Sequence, residues 1–353
     1  MKIKLAMLEK DQSYLNRIVT VFSTKYADKF EIYSFTDLEI AMKALEEARI
    51  DVFVASDAFE IDVAAIPKRC GFAYFVDSVG IDSVNDQVAI CKFQKADLIY
   101  KQVLSIYSEN TDRAAGFKLH EDNCKVIVFS SPAGGVGTSC IAAACARYLS
   151  GQGKKTLYLD LERMNSVDAM FSGDGQFDMS DIIYAIKSKK ANLSLKLESC
   201  VKQDEFGVSF YSAPKNALDM MELKWEDIRT LFSELKLKGA YDYIIVDADF
   251  SLSQEHVEMF RKVNTLVLIS DGSAIANTKV KAAYDAFAIL DANHDVPILA
   301  RTALMYNKFS NKTGNPIAGI TANAIGGAPR YEHATAEMVI KQLAGLSVFE
   351  KIM

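Results

Sequence analysis

Residues 125–139 read Lys-Val-Ile-Val-Phe-Ser-Ser-Pro-Ala-Gly-Gly-Val-Gly-Thr-Ser, an apolar run that ends in a glycine loop. Gly134, Gly135 and Gly137 let the backbone turn sharply and bring N–H groups close to an anion such as a phosphate chain. A small-residue stretch with helical character follows, and its N-terminus adds the positive end of a helix dipole. Ser139 stands where a hydroxyl can bind Mg²⁺. A glycine loop alone also fits a tight turn. Two later segments narrow the reading. Thr156-Leu-Tyr-Leu-Asp160-Leu-Glu162 ends a buried strand in two carboxylates, and Tyr241-Asp-Tyr-Ile-Ile-Val-Asp247 ends another in a single aspartate. An aspartate at such a strand end can hold a Mg²⁺-bound water beside phosphates. Loop and helix, then carboxylate strand, then aspartate strand is a more specific order than any one piece.

These residues need a sheet to position them. From Lys125 on, strand-like runs fall at Lys125–Ser130, Lys155–Asp160, Val208–Tyr211, Tyr243–Asp247, Thr265–Ile269 and Ile298–Asn307, with helices between them, notably Cys140–Gln152 and Thr278–Leu290. The first part of the chain alternates in the same way. Strands are expected at Lys2–Leu8, Phe30–Phe35, Asp51–Ala55, Phe72–Asp77 and Gln87–Cys91, and helices at Asp11–Tyr26, Asp37–Ala48 and Ala96–Tyr107. The expected fold class is α/β: two doubly wound, mostly parallel sheets, in domains spanning 1–107 and 124–353 with a polar linker at 108–123.

With 353 residues the chain is long enough for two domains, and its 40 basic and 46 acidic residues give a net charge of −6, which argues against a general nucleic-acid surface. Six cysteines form no CxxC pair and read as reduced core thiols, and the four histidines show no ligand spacing, so no metal beyond Mg²⁺ is expected. The first residues read as a strand rather than a signal peptide, and no apolar run reaches the roughly 18 residues of a membrane span. A cytoplasmic protein is expected. Trp225 reads as packing on an amphipathic helix. The segment Thr335–Ile352 has one apolar side and only two lysines, Lys341 and Lys351, so it reads as a closing core helix rather than a membrane anchor.

Nearly all of residues 124–353 resembles the MinD/ParA group of deviant Walker A ATPases, whose loop reads KGGxGK[ST]; Ala133–Ser139 aligns with it as Ala-Gly-Gly-Val-Gly-Thr-Ser. The resemblance implies an ATP and Mg²⁺ site made of Ala133, Gly134, Gly135, Val136, Gly137, Thr138, Ser139 and Cys140. Asp160 and Glu162 stand for the switch I acidic pair, and Asp247 for the switch II aspartate. Catalytic roles are thereby expected of Asp160, Glu162 and Asp247, and metal-binding roles of Ser139, Asp160 and Asp247. Met305-Tyr-Asn307-Lys308 resembles the segment whose Asn contacts adenine, and Ile325-Gly-Gly-Ala-Pro329 a later loop whose Pro lies near the base. Both family lysines are replaced, by Ala133 and Thr138. Loss of one such stabilising donor costs about 10²–10³ in rate, so binding is expected to persist and hydrolysis to be slow or absent.

The first domain resembles a response-regulator receiver, with Glu9 and Asp11 for its acidic cluster and Lys92 for its lysine. Ser56 stands where receivers carry the phosphorylated Asp, and Asp57 comes one residue late, which on a strand turns the side chain to the other face. A receiver-shaped docking module is expected. An atypical receiver before a MinD/ParA-like domain resembles the TadZ/CpaE-type pilus assembly proteins. That resemblance implies a nucleotide-gated scaffold that places a tight-adherence (Flp) pilus secretion system. Its partners would be assembly proteins such as the secretion ATPase, as a homodimer, recruited to a cell pole or a membrane-associated assembly. The alternatives are a cycling MinD/ParA-like ATPase that positions another machine, and a phosphorylation-controlled regulator.

Overall fold

The computed structural model describes residues 2–110, 124–237, 239–292, 294–312 and 314–353. The chain divides into two compact units. The first is Met1–Lys118 with Ala185–Cys200, and the second is Leu119–Tyr184 with Val201–Met353.

The first unit runs β1 (Ile3–Leu8), α1 (Gln12–Lys25), β2 (Phe30–Phe35), α2 (Leu38–Glu47), β3 (Val52–Ser56), β4 (Gly71–Val76), β5 (Ser83–Val84), β6 (Gln87–Cys91) and α3 (Ala96–Asn110). The sheet order is β2-β1-β3-β4-β6-β5, parallel throughout except that the two-residue β5 runs antiparallel to β6. Without β5 this is the doubly wound order 2-1-3-4-5. Alternation along β1 sends Ile3, Leu5 and Met7 to one face, under α1 and α3, and Ala6 and Leu8 to the other, under α2. Asp11 and Asp37 cap α1 and α2 by accepting bonds from backbone amides of the first turns. No α-helix follows β3 or β4. The 3₁₀ turn Val63–Ala65 stands after β3, and Phe59, Ile66 and Cys70 pack on the second face instead.

The second unit runs β7 (Lys125–Ser130), α4 (Thr138–Gly151), β8 (Thr156–Asp160) and α5 (Met179–Lys187). After α6 (Leu193–Cys200) come β9 (Lys202–Gln203), β10 (Ser209–Phe210), α7 (Leu218–Met221), α8 (Trp225–Leu237) and β11 (Tyr243–Asp247). The chain ends with α9 (Gln254–Lys262), β12 (Thr265–Ser270), α10 (Ala274–Asp291), β13 (Thr302–Phe309), β14 (Asn323–Pro329) and α11 (Ala336–Leu343). The sheet order is β14-β13-β12-β7-β11-β8-β10-β9, and only β9 is antiparallel to its neighbour. The central strands β8 and β11 are buried along their whole length, as helices on both faces require.

Three details differ from the sequence reading. Helix α6 groups with the first unit rather than the second. Leu195 joins that unit's core, the buried Lys196 donates to Ser105 Oγ at 2.8 Å and to Glu109 Oε1 at 2.9 Å, and Glu198 accepts from Tyr100 and Lys29. Residues 298–301, expected as the start of a strand, are drawn off the ladder into a 3₁₀ turn because the Ile298 and Leu299 amides donate to the Asp291 carboxylate. Residues 325–329, expected as a loop, lie in the edge strand β14, where Pro329 at the strand end costs no ladder bond. Of the expected linker, Ser108–Asn110 finish α3, and 111–123 lie outside the described residues. At the C-terminus, Ile340, Leu343, Phe349 and Ile352 are buried in the core over β7 and α4, so the apolar side of 335–352 closes the second unit.

Candidate nucleotide site

The glycine loop leaves the C-terminal end of β7, where the chain moves on to β8 on one side of the sheet while β12 lies on the other. Such a topological switch point opens a crevice at the strand ends. Ala133 and Val136 are buried, 5 % and 2 % exposed, and pin the loop at two points to the core. Between and beyond them Gly135 and Gly137 adopt φ of +78° and +84°. Gly137 is further constrained, since a Cβ there would stand 2.6 Å from Asn307 Nδ2. Ser131 Oγ accepts from the Ala133 amide and donates to the Ile269 carbonyl, which holds the loop entry against β12. Among the described hydrogen bonds none uses the amides of Gly134, Gly135, Val136 or Gly137. The first-turn amides of α4 add further donors without intrahelical acceptors. Two side chains from β13 hold the carbonyl side of the loop. Asn307 Nδ2 donates to Val136 O at 2.8 Å, and Lys308 Nζ to Gly135 O at 2.8 Å. Asn307, expected to contact adenine, places its amide nitrogen on the glycine loop.

Parallel pairing in register brings the carboxylates together, because Asp160 and Asp247 are direct partners at the ends of β8 and β11. One oxygen from each of Asp160, Glu162 and Asp247 lies within 4.8 Å of the others. Asp160 accepts from the Glu162 and Ser166 amides, both at 2.9 Å, and its own carbonyl accepts from Asn165. Asp247 Oδ2 accepts from the Tyr158 hydroxyl at 2.9 Å, while its buried Oδ1 has no partner at hydrogen-bond geometry, although the Ser139 hydroxyl is near enough to lower the carboxyl. Ser139, in the first turn of α4, donates to Glu162 Oε2 at 3.3 Å and ties the helix to the cluster. Burial raises Asp160 to about 7, with Glu162 and Asp249 adding to the rise against two backbone hydrogen bonds. Burial first, and then Glu162 and Asp160, push Asp247 well above the usual carboxylate range. Burial and Asp249 raise Glu162 as well. Three crowded carboxylates, one of them Asp247 with its buried Oδ1, and the Ser139 hydroxyl form an all-oxygen donor set that suits a hard divalent cation.

The structure therefore brings Gly134–Ser139, Asp160, Glu162, Asp247 and Asn307 to one end of the sheet. Cys140 sits one residue further along α4, half-buried, its thiol pushed up by burial. Pro329 pairs in register with Phe309, on the strand that carries Asn307. Sequence reasoning missed Tyr158, whose place inside an apolar strand marks it only as a core aromatic, and gave Lys308 no role of its own.

In the first unit Glu9 is buried and Lys92 Nζ bonds Glu9 Oε2 at 3.0 Å and Asp77 Oδ1 at 2.5 Å. Ser56 is buried at the end of β3, and Asp57 is exposed beyond it, its amide bonded to the Phe75 carbonyl. The lysine is thus already held by two carboxylates, neither of them Asp57.

Residues 1–108 match the family model described as the TadZ-like receiver domain. The crystal structure of a ParA family ATPase from Chlorobium tepidum TLS is 21 % identical, with a TM-score of 0.51, over 65 % of this chain and 96 % of that one. A plasmid partition protein from Borrelia burgdorferi (18 % identity, 65 % of this chain and 99 % of that one, TM-score 0.48) and a chain of the MinC:MinD cell division protein complex of Aquifex aeolicus (16 %, 63 % and 96 %, 0.47) are similar more distantly. No curated protein sequence matches the chain. Among the described residues no helix is long and apolar enough to cross a membrane. A TadZ-like receiver domain at residues 1–108 followed by a unit with the ParA-type fold is the architecture of the TadZ/CpaE family.

Proposed function

We propose that the second unit binds ATP with Mg²⁺ on the Gly134–Ser139 loop, and that the chain acts as a nucleotide-gated localisation and assembly factor for a tight-adherence (Flp) pilus secretion system. The observation that carries the nucleotide reading is the row of unspent amides at Gly134–Gly137 beside an oxygen cluster whose Asp247 Oδ1 has no partner. The amides and the α4 N-terminus take the phosphates, and Ser139, Asp160 and Asp247 hold the cation. Bound Mg²⁺ supplies charge neutralisation to the phosphate tail. Tyr158 fixes the Asp247 rotamer, and the Asn307 amide holds the loop open at Val136 O.

Hydrolysis is slow or absent in this reading. Ala133 is turned into the core and Thr138 carries no charge, so neither family lysine has a counterpart at its own loop position. Lacking these cations, the nucleotide serves to set a conformation rather than to be consumed. The matched TadZ-like receiver supports the pilus assignment, and its engaged Lys92 favours a docking module over a phosphorylated input. A homodimer that recruits assembly proteins such as the secretion ATPase, at a pole or a membrane-associated assembly, completes the proposal.

Titration of the full chain with a fluorescent ATP analogue and Mg²⁺, against ADP and GTP, tests it. ATP-selective binding with Kd in the micromolar range, about −8 kcal/mol, lost in Asp247→Ala, supports the reading. Absence of binding at millimolar ATP defeats it. Turnover at the ordinary enzyme rate of about 1 s⁻¹ or more defeats the scaffold part alone.

A further inference from the structure

The phosphate loop has no cation of its own, yet a lysine from another strand stands over it. Lys308 follows Asn307 in β13 and adopts φ of +54°, a left-handed conformation uncommon for a side chain of its size. Its Nζ donates to Gly135 O at 2.8 Å, across 173 residues of sequence. Its Cε and Nζ lie 3.4 and 3.7 Å from the position a Cβ on Gly137 would take. The ammonium thus stands beside the stretch from Gly135 to Gly137, on its carbonyl side. An ammonium carries three donors, and the Gly135 carbonyl takes one. Among the described residues no carboxylate forms a direct ion pair with it, and Asp271 is the carboxylate near enough to feel its charge. A strained backbone that carries a half-exposed charge to a neutral carbonyl has little stability to recommend it, and a multiply charged anion on the loop gives it a purpose.

We propose that Lys308 supplies, from the end of β13, the positive charge toward the polyphosphate of a bound nucleoside triphosphate that loop positions 133 and 138 lack. The proposal rests on the nucleotide reading of the same loop. It makes the charge intramolecular: Asn307 and Lys308 are adjacent on one strand and grip adjacent loop carbonyls, so no lysine from a second copy is needed to hold the phosphates.

The test measures Kd for ATP, ADP and AMP with Mg²⁺, at low and high salt, on the full chain. The variants are Lys308→Gln, Lys308→Asn (Asn tolerates positive φ) and Lys308→Arg, with melting temperature as a check on folding. The expected result is a loss of about 10–100-fold for ATP in the first two variants, the worth of one charged hydrogen bond. The loss should shrink from ATP to ADP to AMP and with added salt. Lys308→Arg should stay within a few-fold of wild type, and Thr138→Lys in the Lys308→Gln background should recover affinity. Equal losses for all three nucleotides would show a loop clasp only and overturn the proposal. Unchanged ATP affinity in Lys308→Gln and Lys308→Asn would overturn it as well, while leaving the nucleotide site standing. A wild type that binds none of the three overturns both readings.

Discussion

Asp247→Asn should make the ligand-free protein more stable while abolishing the proposed Mg²⁺ site. Asp247 is fully buried, one oxygen is bonded to Tyr158 and the other has no partner. Its nearest buried charge, Asp160, offers an oxygen within 4.8 Å. Two ionised carboxylates at that separation repel by about 3.5 kcal/mol at an effective dielectric of 20. Glu162 is partly exposed, so its share is screened and left out. An asparagine keeps the shape, accepts the Tyr158 hydroxyl through its carbonyl and offers N–H donors to the crowded side. The sign follows from proton binding. The folded-state values of Asp160 and Asp247 are raised, Asp160 to about 7, whereas an unfolded aspartate titrates near 4. Between those values the folded chain holds protons that the unfolded chain has released, so wild-type stability falls as pH rises through that window and stays low above it. The advantage of Asp247→Asn is therefore absent near pH 4 and grows as pH rises above it. A gain of about 2–4 kcal/mol in a unit of this size corresponds to roughly 5–10 °C in Tm. Thermal unfolding at pH 8 and pH 5, with and without Mg²⁺, measures it, and added Mg²⁺ should raise the wild type and leave the variant unmoved. A variant melting at or below wild type at pH 8 without divalent cation would refute the claim that these carboxylates repel one another in the folded state.

Gly137→Ala should cost nucleotide binding at least tenfold and destabilise the fold, since its Cβ would meet Asn307 Nδ2 at 2.6 Å at φ of +84°; equilibrium titration and Tm together check it. Lys92→Met should destabilise the first unit by about 3–5 kcal/mol, because it leaves the buried Glu9 carboxylate unpaired; denaturant unfolding followed by a first-unit probe reads this out. Acetyl phosphate should leave Asp57 unlabelled by mass spectrometry, and stoichiometric labelling would reinstate the phosphorylated-receiver alternative. Lys196→Met should loosen α6 from α3 at a cost of about 1–3 kcal/mol, seen as faster amide exchange across 193–200 and across Ala96–Asn110.

The sheets were legible because their strands are continuous apolar runs ending in turn residues. Tyr243–Asp247 has one reading as a buried parallel strand, and the register that sets Asp247 beside Asp160 follows once both strands are parallel neighbours. The loop was legible because glycines between a strand and a small-residue helix supply the positive φ that the turn takes at Gly135 and Gly137, and the two carboxylate strands that follow narrow the reading. What escaped reading depends on partners far away in sequence. The 3₁₀ turn at 299–301 exists because Asp291 accepts two amides there. Pairing of the Gly-Gly segment at 326–327 with β13 rests on close approach to Tyr306, which glycine permits and composition does not announce. Helix α6 carries Lys196 and Glu198, whose charges alone name no partner, and both pair with groups of the first unit.

The same long-range logic bears on the altered loop. A lysine missing from a motif is a local observation, whereas the charge a phosphate meets is set by everything within several ångströms. Here the loop positions lost their cations while the adjacent strand holds Lys308 on the Gly135 carbonyl, and the cluster opposite holds three carboxylates that a cation would relieve. With both family lysines present beside Mg²⁺, the phosphate tail would be strongly compensated and its transfer promoted. With one cation held at the rim, the same amides and the same metal ligands favour a nucleotide that is bound and kept. In the proposed reading the amide row and the carboxylates would account for binding, the missing loop charges for slow turnover, and Lys308 would let the two coexist in one site.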